Sequence, residues 1–549
     1  MLKVIALGGL GEIGLNMMLF EHQGQILVID AGLMFPDDYM PGVDIVIPDF
    51  NYLRENRDKL LGLILTHGHE DHIGATPFLL KEFKLPVFGT RFTLALLREK
   101  LREHRFSTLP PLHQVAPGHK SHLGPFVVEY IQVNHSIVDG VGLAIETNEG
   151  TFIHSGDFKI DSTPVDGQLT DIGRFAHYGE KGVLALFSDS TNAEKEGFTI
   201  SENEVRRTLS DLFQEASGRI IVAVFASNIT RIQQLINLAM DYGRKVVFSG
   251  KSMLTNVALA KEAGFIQFPE ELVISETKAQ RFEDDRLLII TTGSQGEPMS
   301  GLTRMVHGRH KHIKINPGDT VILSSRFIPG NERAITGIIN SLYEAGAEVI
   351  YEKVSDIHTS GHARREELKL MLNLVRPKYL VPVHGELRHL VKHMQLAMDV
   401  GLPSERVLLA RNGDVLCFEE GKGVICGSVK TGRVLVDGKG LGEMGDVILR
   451  DRRRLSEHGM VIVLIAIDET TGEIVYGPNL ISRGFAFESE VEYILEDAKC
   501  VVLEVFDDMV HLGAIEPQQL ESEIERRLRQ FFYKVVDRGP LVLPVILPV

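Results

Sequence analysis

Short apolar runs that end abruptly at histidine or aspartate recur along this 549-residue chain. The run Leu60–Thr66 leads directly into His67-Gly-His69-Glu-Asp71-His72, and Val127–Val133 leads into Asn134-His135. Phe152-Ile153 precedes His154-Ser-Gly156-Asp157, and Tyr379-Leu-Val381 precedes Pro382-Val-His384-Gly385. Runs this short, bounded by turn residues, predict buried strands. A lone His or Asp at a strand end usually caps a turn, but the recurrence predicts that these polar residues share one edge of a sheet.

The pattern changes beyond about residue 198. Strand-like runs at Ile220–Phe225, Lys245–Phe248, Leu287–Ile290 and Val321–Leu323 alternate with helical patterns at 204–214, 231–241 and 331–344. Alternation of this kind predicts parallel β-α units. The reading is therefore a first domain in two pieces, 1–198 and 356–425, interrupted by an α/β domain at 199–355. A glycine-rich connection at 426–449, with Val434–Val436 as a candidate strand, precedes a small α/β domain at 450–549. That last domain is predicted to hold a strand at Met460–Ile467 and a charged helix near Gln518–Val535.

His67–His72 offers nitrogen and oxygen donors but no thiolate, which suits a metal site that keeps a position open for water. His67 and His69 can turn to one cation while Asp71 and His72 turn to a second about 3.5–4 Å away. A competing pattern lies near the start. Gly9-Leu-Gly11-Glu-Ile-Gly14 follows the strand-like Val4–Leu7, and Asp30 sits near the distance of a ribose-binding carboxylate, as in a dinucleotide fold. Only nine residues, Leu15 to Gln23, follow before Gly24. They are too few for a crossover helix, and Met17–Phe20 reads as strand. A tight loop near the metal site is the better reading, with Asp30 orienting a ligand histidine.

Asp30 in Val-Ile-Asp-Ala-Gly, the His67–His72 loop, His135 and Asp157 in Gly-Asp-Phe resemble the successive motifs of the metallo-β-lactamase fold. Ser188-Asp189-Ser-Thr191, His358-Thr-Ser-Gly-His362-Ala363 and Pro382-Val-His384-Gly-Glu386 resemble the added motifs of its β-CASP nucleic-acid-processing branch. Within that branch the chain is similar to the bacterial ribonuclease J family, from Met1 to the C-terminal Leu-Pro-Val. The resemblance implies a metallo-β-lactamase αββα sandwich with an inserted β-CASP α/β domain and a small C-terminal α/β domain. It implies two zinc ions per subunit, with manganese or magnesium as alternatives. His67, His69 and His135 would hold one ion, Asp71, His72 and His384 the other, and Asp157 would bridge them. Such ions supply a nucleophile at neutral pH by acidifying water. His362, supported by Asp189, is the candidate general acid or else a phosphate clamp. Ser360 and Gly361 are candidate 5′-phosphate ligands. Ser227 and Asn228 read equally as phosphate ligands or as a helix cap.

The activity so implied is a ribonuclease acting 5′→3′ on 5′-monophosphorylated single-stranded RNA, with some internal cleavage, in RNA maturation and decay. Homodimers or tetramers and a degradosome or ribosome association belong to the same expectation. The alternatives are a thioester or lactone hydrolase of the same fold, which leaves the inserted region unexplained, and an inactive scaffold, against which the complete ligand set argues.

Composition changes this picture little. The net charge of −16 leaves no global basic footprint for RNA. A channel needs only local positive lining, and Arg304–Lys314 and Arg450–Arg454 are the basic stretches, each reading more readily as a solvated loop than as an RNA contact. Three cysteines, Cys417, Cys426 and Cys500, form no C-x-x-C pair. They predict a reducing cytoplasm without a disulfide framework. The longest apolar run, Met460–Ile467, is too short to span a membrane.

Overall fold

A computed structural model describes residues 1–37, 39–327, 331–352, 357–438, 440–441, 446–485, 488–511 and 516–549. They fall into two compact units, one of residues 1–34 and 47–433, the other of residues 35–46 and 434–549.

The first unit is built on two large sheets. In spatial order, the eight-stranded sheet runs Lys422–Ser428, Asp414–Glu419, Leu2–Gly8, Met17–His22, Gln25–Ile29, Leu60–Ile64, Val87–Gly89 and Leu112–Gln114. The six-stranded sheet runs Tyr379–Val383, Ala185–Asp189, Gly150–His154, Val141–Thr147, Phe126–Gln132 and Lys120–Leu123. Alternating side chains give each sheet an apolar inner face. Phe20, Leu27 and Phe418 from one sheet join Tyr130, Leu143, Phe152 and Phe187 from the other in a continuous core. The opposite face of the six-stranded sheet presents Ile131, Ala144, Ile153, Leu186 and Leu380 to Phe175, Tyr178, Leu368, Met371 and Leu396. Those partners lie on helices Ile172–Lys181, Arg365–Val375 and Leu387–Asp399. Helix Arg91–Glu103 packs on strands Val87–Gly89 and Leu112–Gln114 of the other sheet, as its amphipathic spacing predicts.

A separate five-stranded sheet is wholly parallel, in the order Lys245–Ser249, Leu287–Thr291, Ile220–Ala223, Thr320–Leu323 and Glu348–Ile350. Strands buried on both faces read as unbroken apolar runs, which is why Leu287–Ile290 and Ile220–Phe225 are visible as such in the sequence. Helices Glu202–Glu215, Ile229–Asp241 and Glu332–Glu344 stand where the periodicity predicts them. The expected domain boundary at 355/356 lies outside the described residues.

The second unit holds a three-stranded sheet, Ile474–Arg483, Met460–Ile467 and Leu541–Pro548. Helices Glu488–His511 and Pro517–Val536 close its core through Val502, Val505, Leu520, Ile524 and Leu528.

The structure bears out one sequence reading and corrects two. The Gly9–Gly14 segment is followed by strand Met17–His22, antiparallel to Leu2–Gly8, so no dinucleotide-binding crossover exists there. The expected connection at 426–449 is partly sheet. Lys422–Ser428 is a strand paired with Asp414–Glu419, while the candidate at Val434–Val436 is borne out as strand Arg433–Asp437; residues 439 and 442–445 lie outside the described set. Glu420 and Gly421 both have positive φ, 49° and 72°, and close the hairpin in a two-residue turn. The strand was hidden because it is almost wholly exposed and shows no apolar alternation. Finally, that pairing brings Cys417 and Cys426 together in a disulfide, leaving Cys500 free. Their nine-residue separation matches no short cysteine motif, so only strand register reveals the pair.

A buried ion cluster ties helix Glu202–Glu215 to helix Ile229–Asp241. Glu202 bonds Arg231 at 2.7 Å and lies 3.4 Å from Lys159. Burial pushes the Glu202 carboxyl up, but the Arg231 and Lys159 charges outweigh this and hold it at about 2, against 4.5 when free. Its folded value is depressed, so its contribution is complete above pH 4.5 and is lost as pH falls toward 2, on the order of 3 kcal/mol. Urea midpoints of Glu202→Gln should therefore lie well below wild type at pH 7 and converge on it by pH 2–3. A gap that stays constant with pH would contradict this account.

Candidate metal centre

Each candidate ligand stands just beyond the end of a strand. His67, His69, Asp71 and His72 follow Leu60–Ile64, with Asp71 and His72 in the short helix Glu70–Ile73. His135 follows Phe126–Gln132, and His384 follows Tyr379–Val383; Asp157 comes shortly after His154, the last residue of Gly150–His154. Leu60–Ile64 belongs to the eight-stranded sheet and the other three to the six-stranded one, where a single strand separates each from the next, and their ends converge. Donor atoms of His67, His69 and His135 lie within 4.8 Å of one another, and so do those of Asp71, His72, Asp157 and His384.

The Asp157 Oδ2 atom is the point of convergence. It lies 3.2 Å from Nε2 of His72 and of His384, and 3.7 Å from Nε2 of His67 and of His135. One carboxylate oxygen thus faces a nitrogen pair from each set. Asp71 Oδ2 adds an oxygen 3.6 Å from His72 Nε2 and 3.7 Å from His384 Nε2.

Hydrogen bonds behind the rings set their tautomers. His72 Nδ1 donates to Asp30 Oδ2 at 2.8 Å, His135 Nδ1 to the Gly361 carbonyl at 2.7 Å, and His384 Nδ1 to Asn16 Oδ1 at 3.0 Å. A proton held on Nδ1 leaves the Nε2 lone pair facing the cluster, the arrangement imidazole adopts toward a cation. Asp30 is fixed in turn by the Thr66 backbone N–H and hydroxyl, each at 2.8 Å. Asp30 and His384 take positive φ, 60° and 52°, a costly conformation for residues with side chains that the surrounding bonds enforce. Nitrogen-rich donors without thiolate, preset in this way, fit two borderline divalent cations such as zinc.

Burial holds the His67 and His135 rings well below their usual range and His69 at about 4, keeping them neutral. Burial acts on His72 and His384 too, but there Asp157 and neighbouring carboxylates outweigh it. His72 lies well above its usual value and His384 at about 9. Burial would raise Asp157, yet His384, His72 and His67 hold it far below the carboxylate range. A cation binding there must displace protons from His72 and His384, so its affinity rises with pH.

His362 stands beside this cluster, its Nδ1 2.8 Å from Asp189 Oδ2 and 4.0 Å from Asp157 Oδ2. The Asp189 charge and hydrogen bond outweigh burial and raise its pKa, which favours a protonated ring. Ser360 lies next to it, its hydroxyl oxygen accepting from Asn192 Nδ2 at 2.7 Å. Gly361 also orients His135 through its carbonyl. A Cβ there would come 2.6 Å from the His135 ring, so only glycine permits this approach. Asn228 is a helix cap, its side-chain oxygen accepting from Arg231 N at 3.0 Å, and Ser227 precedes it. His154 is buried and accepts from the Gly156 N–H, a turn bond.

Three supporting residues escaped the sequence reading: Asn16, Thr66 and Asn192. Asn16 also donates to the Asp71 carbonyl at 3.0 Å, and Asn192 to the His362 carbonyl at 2.9 Å. Thr66 adjoins His67 and Asn192 adjoins Thr191, so proximity to a motif was their only signal.

Comparison with known proteins accords with this geometry. The ribonuclease J beta-CASP domain family matches residues 217–342, and the ribonuclease J C-terminal domain family matches 447–549. The metallo-beta-lactamase superfamily matches 10–186, and the Zn-dependent metallo-hydrolase RNA specificity domain matches 346–407. Ribonuclease J2 of Bacillus subtilis is 41% identical over 547 residues, covering 100% of this chain and 98% of the relative. The chain belongs to the ribonuclease J family. Ribonuclease J of Mycobacterium tuberculosis is 42% identical over 549 residues, covering 100% and 97%. A solved structure of a protein of unknown function from Enterococcus faecalis V583 shares the fold, with a TM-score of 0.54 at 16% identity, covering 75% of this chain and 99% of that one. Membership places this ribonuclease J-family chain in the metal-dependent ribonuclease class. No helix among the described residues is long and apolar enough to cross a membrane.

Asn16 serves only the set of Asp71, His72 and His384, so Asn16→Ala should weaken one of two cation-binding events by about 10–100-fold and spare the other. Calorimetric titration of metal-stripped protein with zinc checks this. Equal weakening of both events would show that Asn16 acts on the fold as a whole.

Proposed function

We propose that this chain is a zinc-dependent ribonuclease that removes nucleotides 5′→3′ from RNA bearing a 5′-monophosphate and also cuts internally. It would act on single-stranded RNA in the cytoplasm, in RNA maturation and decay. The observation that carries the reading is the convergence of four imidazoles on Asp157 between two ligand sets. His67, His69 and His135 would hold one ion, Asp71, His72 and His384 the second, with Asp157 shared. When bound, the ions supply Lewis acidity toward a phosphoryl oxygen and a nucleophile at neutral pH.

The protein's own groups do the rest. His362, kept protonated by Asp189, is placed to give a proton to the departing 3′-oxygen. Ser360 keeps its hydroxyl proton available to a phosphate oxygen, because Asn192 donates to the lone pair behind it. A terminal monophosphate can be saturated by such short donors, whereas a triphosphate adds bulk and charge. The domain map expected from sequence, with an inserted region at 199–355 and a C-terminal region from 450, belongs to the same proposal, as does assembly into dimers or tetramers.

The test is incubation of purified protein with 5′-monophosphorylated and 5′-triphosphorylated RNA of one sequence, with and without chelator. Mononucleotide release from the monophosphorylated form, abolished by chelator, is expected. His69→Ala and Asp157→Ala should each lose cleavage while staying folded by circular dichroism, and full activity of either would end the two-ion reading. Ser360→Ala removes one donor to a charged group, worth about 1.5–3 kcal/mol, so 5′-terminal removal should slow roughly ten- to a hundred-fold and internal cleavage less. Equal slowing of both would assign Ser360 to the scissile phosphate instead.

A further inference from the structure

Arg231 is fully buried, yet it touches no candidate metal ligand. It lies on helix Ile229–Asp241, next to the five-stranded sheet, and its guanidinium joins three separate segments. One Nη2–H donates to Glu202 Oε2 at 2.7 Å. Nη1 donates to Ser324 Oγ at 2.5 Å, beyond strand Thr320–Leu323, and to the Ile357 carbonyl at 2.7 Å. Ser324 donates to that same carbonyl at 2.7 Å, so the Ile357 oxygen is held from two directions.

Ile357 begins the segment that carries Ser360, Gly361 and His362. The far end is also clamped: Asn192 and Thr199 donate to the His362 carbonyl, and the Ala363 N–H donates to the Phe158 carbonyl. Midway, Thr359 Oγ1 donates to the Ile200 carbonyl. On its other side Glu202 faces Lys159, two residues beyond Asp157, whose backbone N–H donates to the Asn134 carbonyl beside His135. Asp161 accepts from the Glu202 N–H and completes the cluster. His358, half-buried beside Arg231, is held at about 3 first by desolvation and then by the Arg231 charge, and so stays neutral.

A buried ion pair is a poor device for stability alone, since desolvation offsets its attraction and an apolar pair of similar volume does as well. What the guanidinium adds is direction, because its planar fork bonds several fixed acceptors at once. We infer that Arg231, with Ser324, is a positioning residue that sets the Ile357–His362 segment, and through it His362, against the metal centre. The helix of the five-stranded-sheet region thereby governs proton delivery at a site to which it contributes no ligand. This rests on the proposed role of His362 in RNA cleavage.

The experiment compares wild type, Arg231→Lys, Arg231→Met, Ser324→Ala, His362→Ala and the Arg231→Lys/His362→Ala double variant in the full-length protein. Hydrogen exchange of peptides covering 357–364 should speed about tenfold in both Arg231 variants and less in Ser324→Ala, while peptides covering Gly150–His154 and zinc content stay at wild-type values. On 5′-monophosphorylated RNA, Arg231→Lys should lower kcat about tenfold with KM changed by less than about threefold. In the His362→Ala background the same change should cost less than about twofold, because both act through one step. Wild-type exchange of the segment in both Arg231 variants, or rate losses that multiply in the double variant, would overturn the inference. Should Arg231→Met fail to fold, Arg231→Lys and Ser324→Ala carry the test. Should wild type cleave no RNA, the proposed function falls, and segment exchange by itself decides the positioning claim.

Discussion

A single buried carboxylate organises the centre of this protein. Asp157 is nearly sealed from solvent, and an isolated carboxylate there would be costly to ionise. It remains charged because four imidazoles surround it, two at 3.2 Å and two at 3.7 Å. Those imidazoles arrive from chain positions as far apart as 67 and 384, so the sandwich must be complete before the carboxylate is satisfied. The need to keep that charge solvated by protein groups couples the order of strands to the chemistry at their ends.

The same constraint explains the dense layer of oriented oxygens behind the site. Asp30, Asn16 and the Gly361 carbonyl each take the Nδ1 proton of a different ring and turn its Nε2 inward. Two of the residues involved, Asp30 and His384, sit in left-handed backbone conformations. Strain of that kind persists where surrounding bonds over-determine the geometry. Rigid strand ends and fixed tautomers together preset the donors, so ion binding reorganises little beyond the protons it displaces.

The segment after Ile357 links this centre to the rest of the first unit. It supplies the carbonyl that orients His135, the Ser360 hydroxyl and the His362 ring, and it is tied to strand ends of the sandwich and to Arg231. A glycine at 361 is required for its close passage over His135. The orientation of His135, the Ser360 hydroxyl and the His362 ring thus depend on one short stretch held from several directions.

Much of this was legible in the chain itself. Apolar runs ending in His or Asp located the strands and their functional ends, because burial on a sheet face and metal ligation both impose residue type locally. The parallel sheet was readable for the same reason, its strands being apolar on both faces. The strand Lys422–Ser428 was not, since an exposed edge strand carries no apolar alternation and is specified only by its partner and a two-residue turn. The disulfide between Cys417 and Cys426 follows from that register and is equally invisible beforehand. Asn228 reads in the chain equally as a phosphate ligand or a cap, and the fold shows its oxygen capping a helix. Asn16, Asn192 and Arg231 act through bonds to residues more than a hundred positions away. Their residue types are common and, of the three, Asn192 alone adjoins a motif, so it took the packed fold, which brings such distant groups within hydrogen-bonding reach, to assign them a purpose.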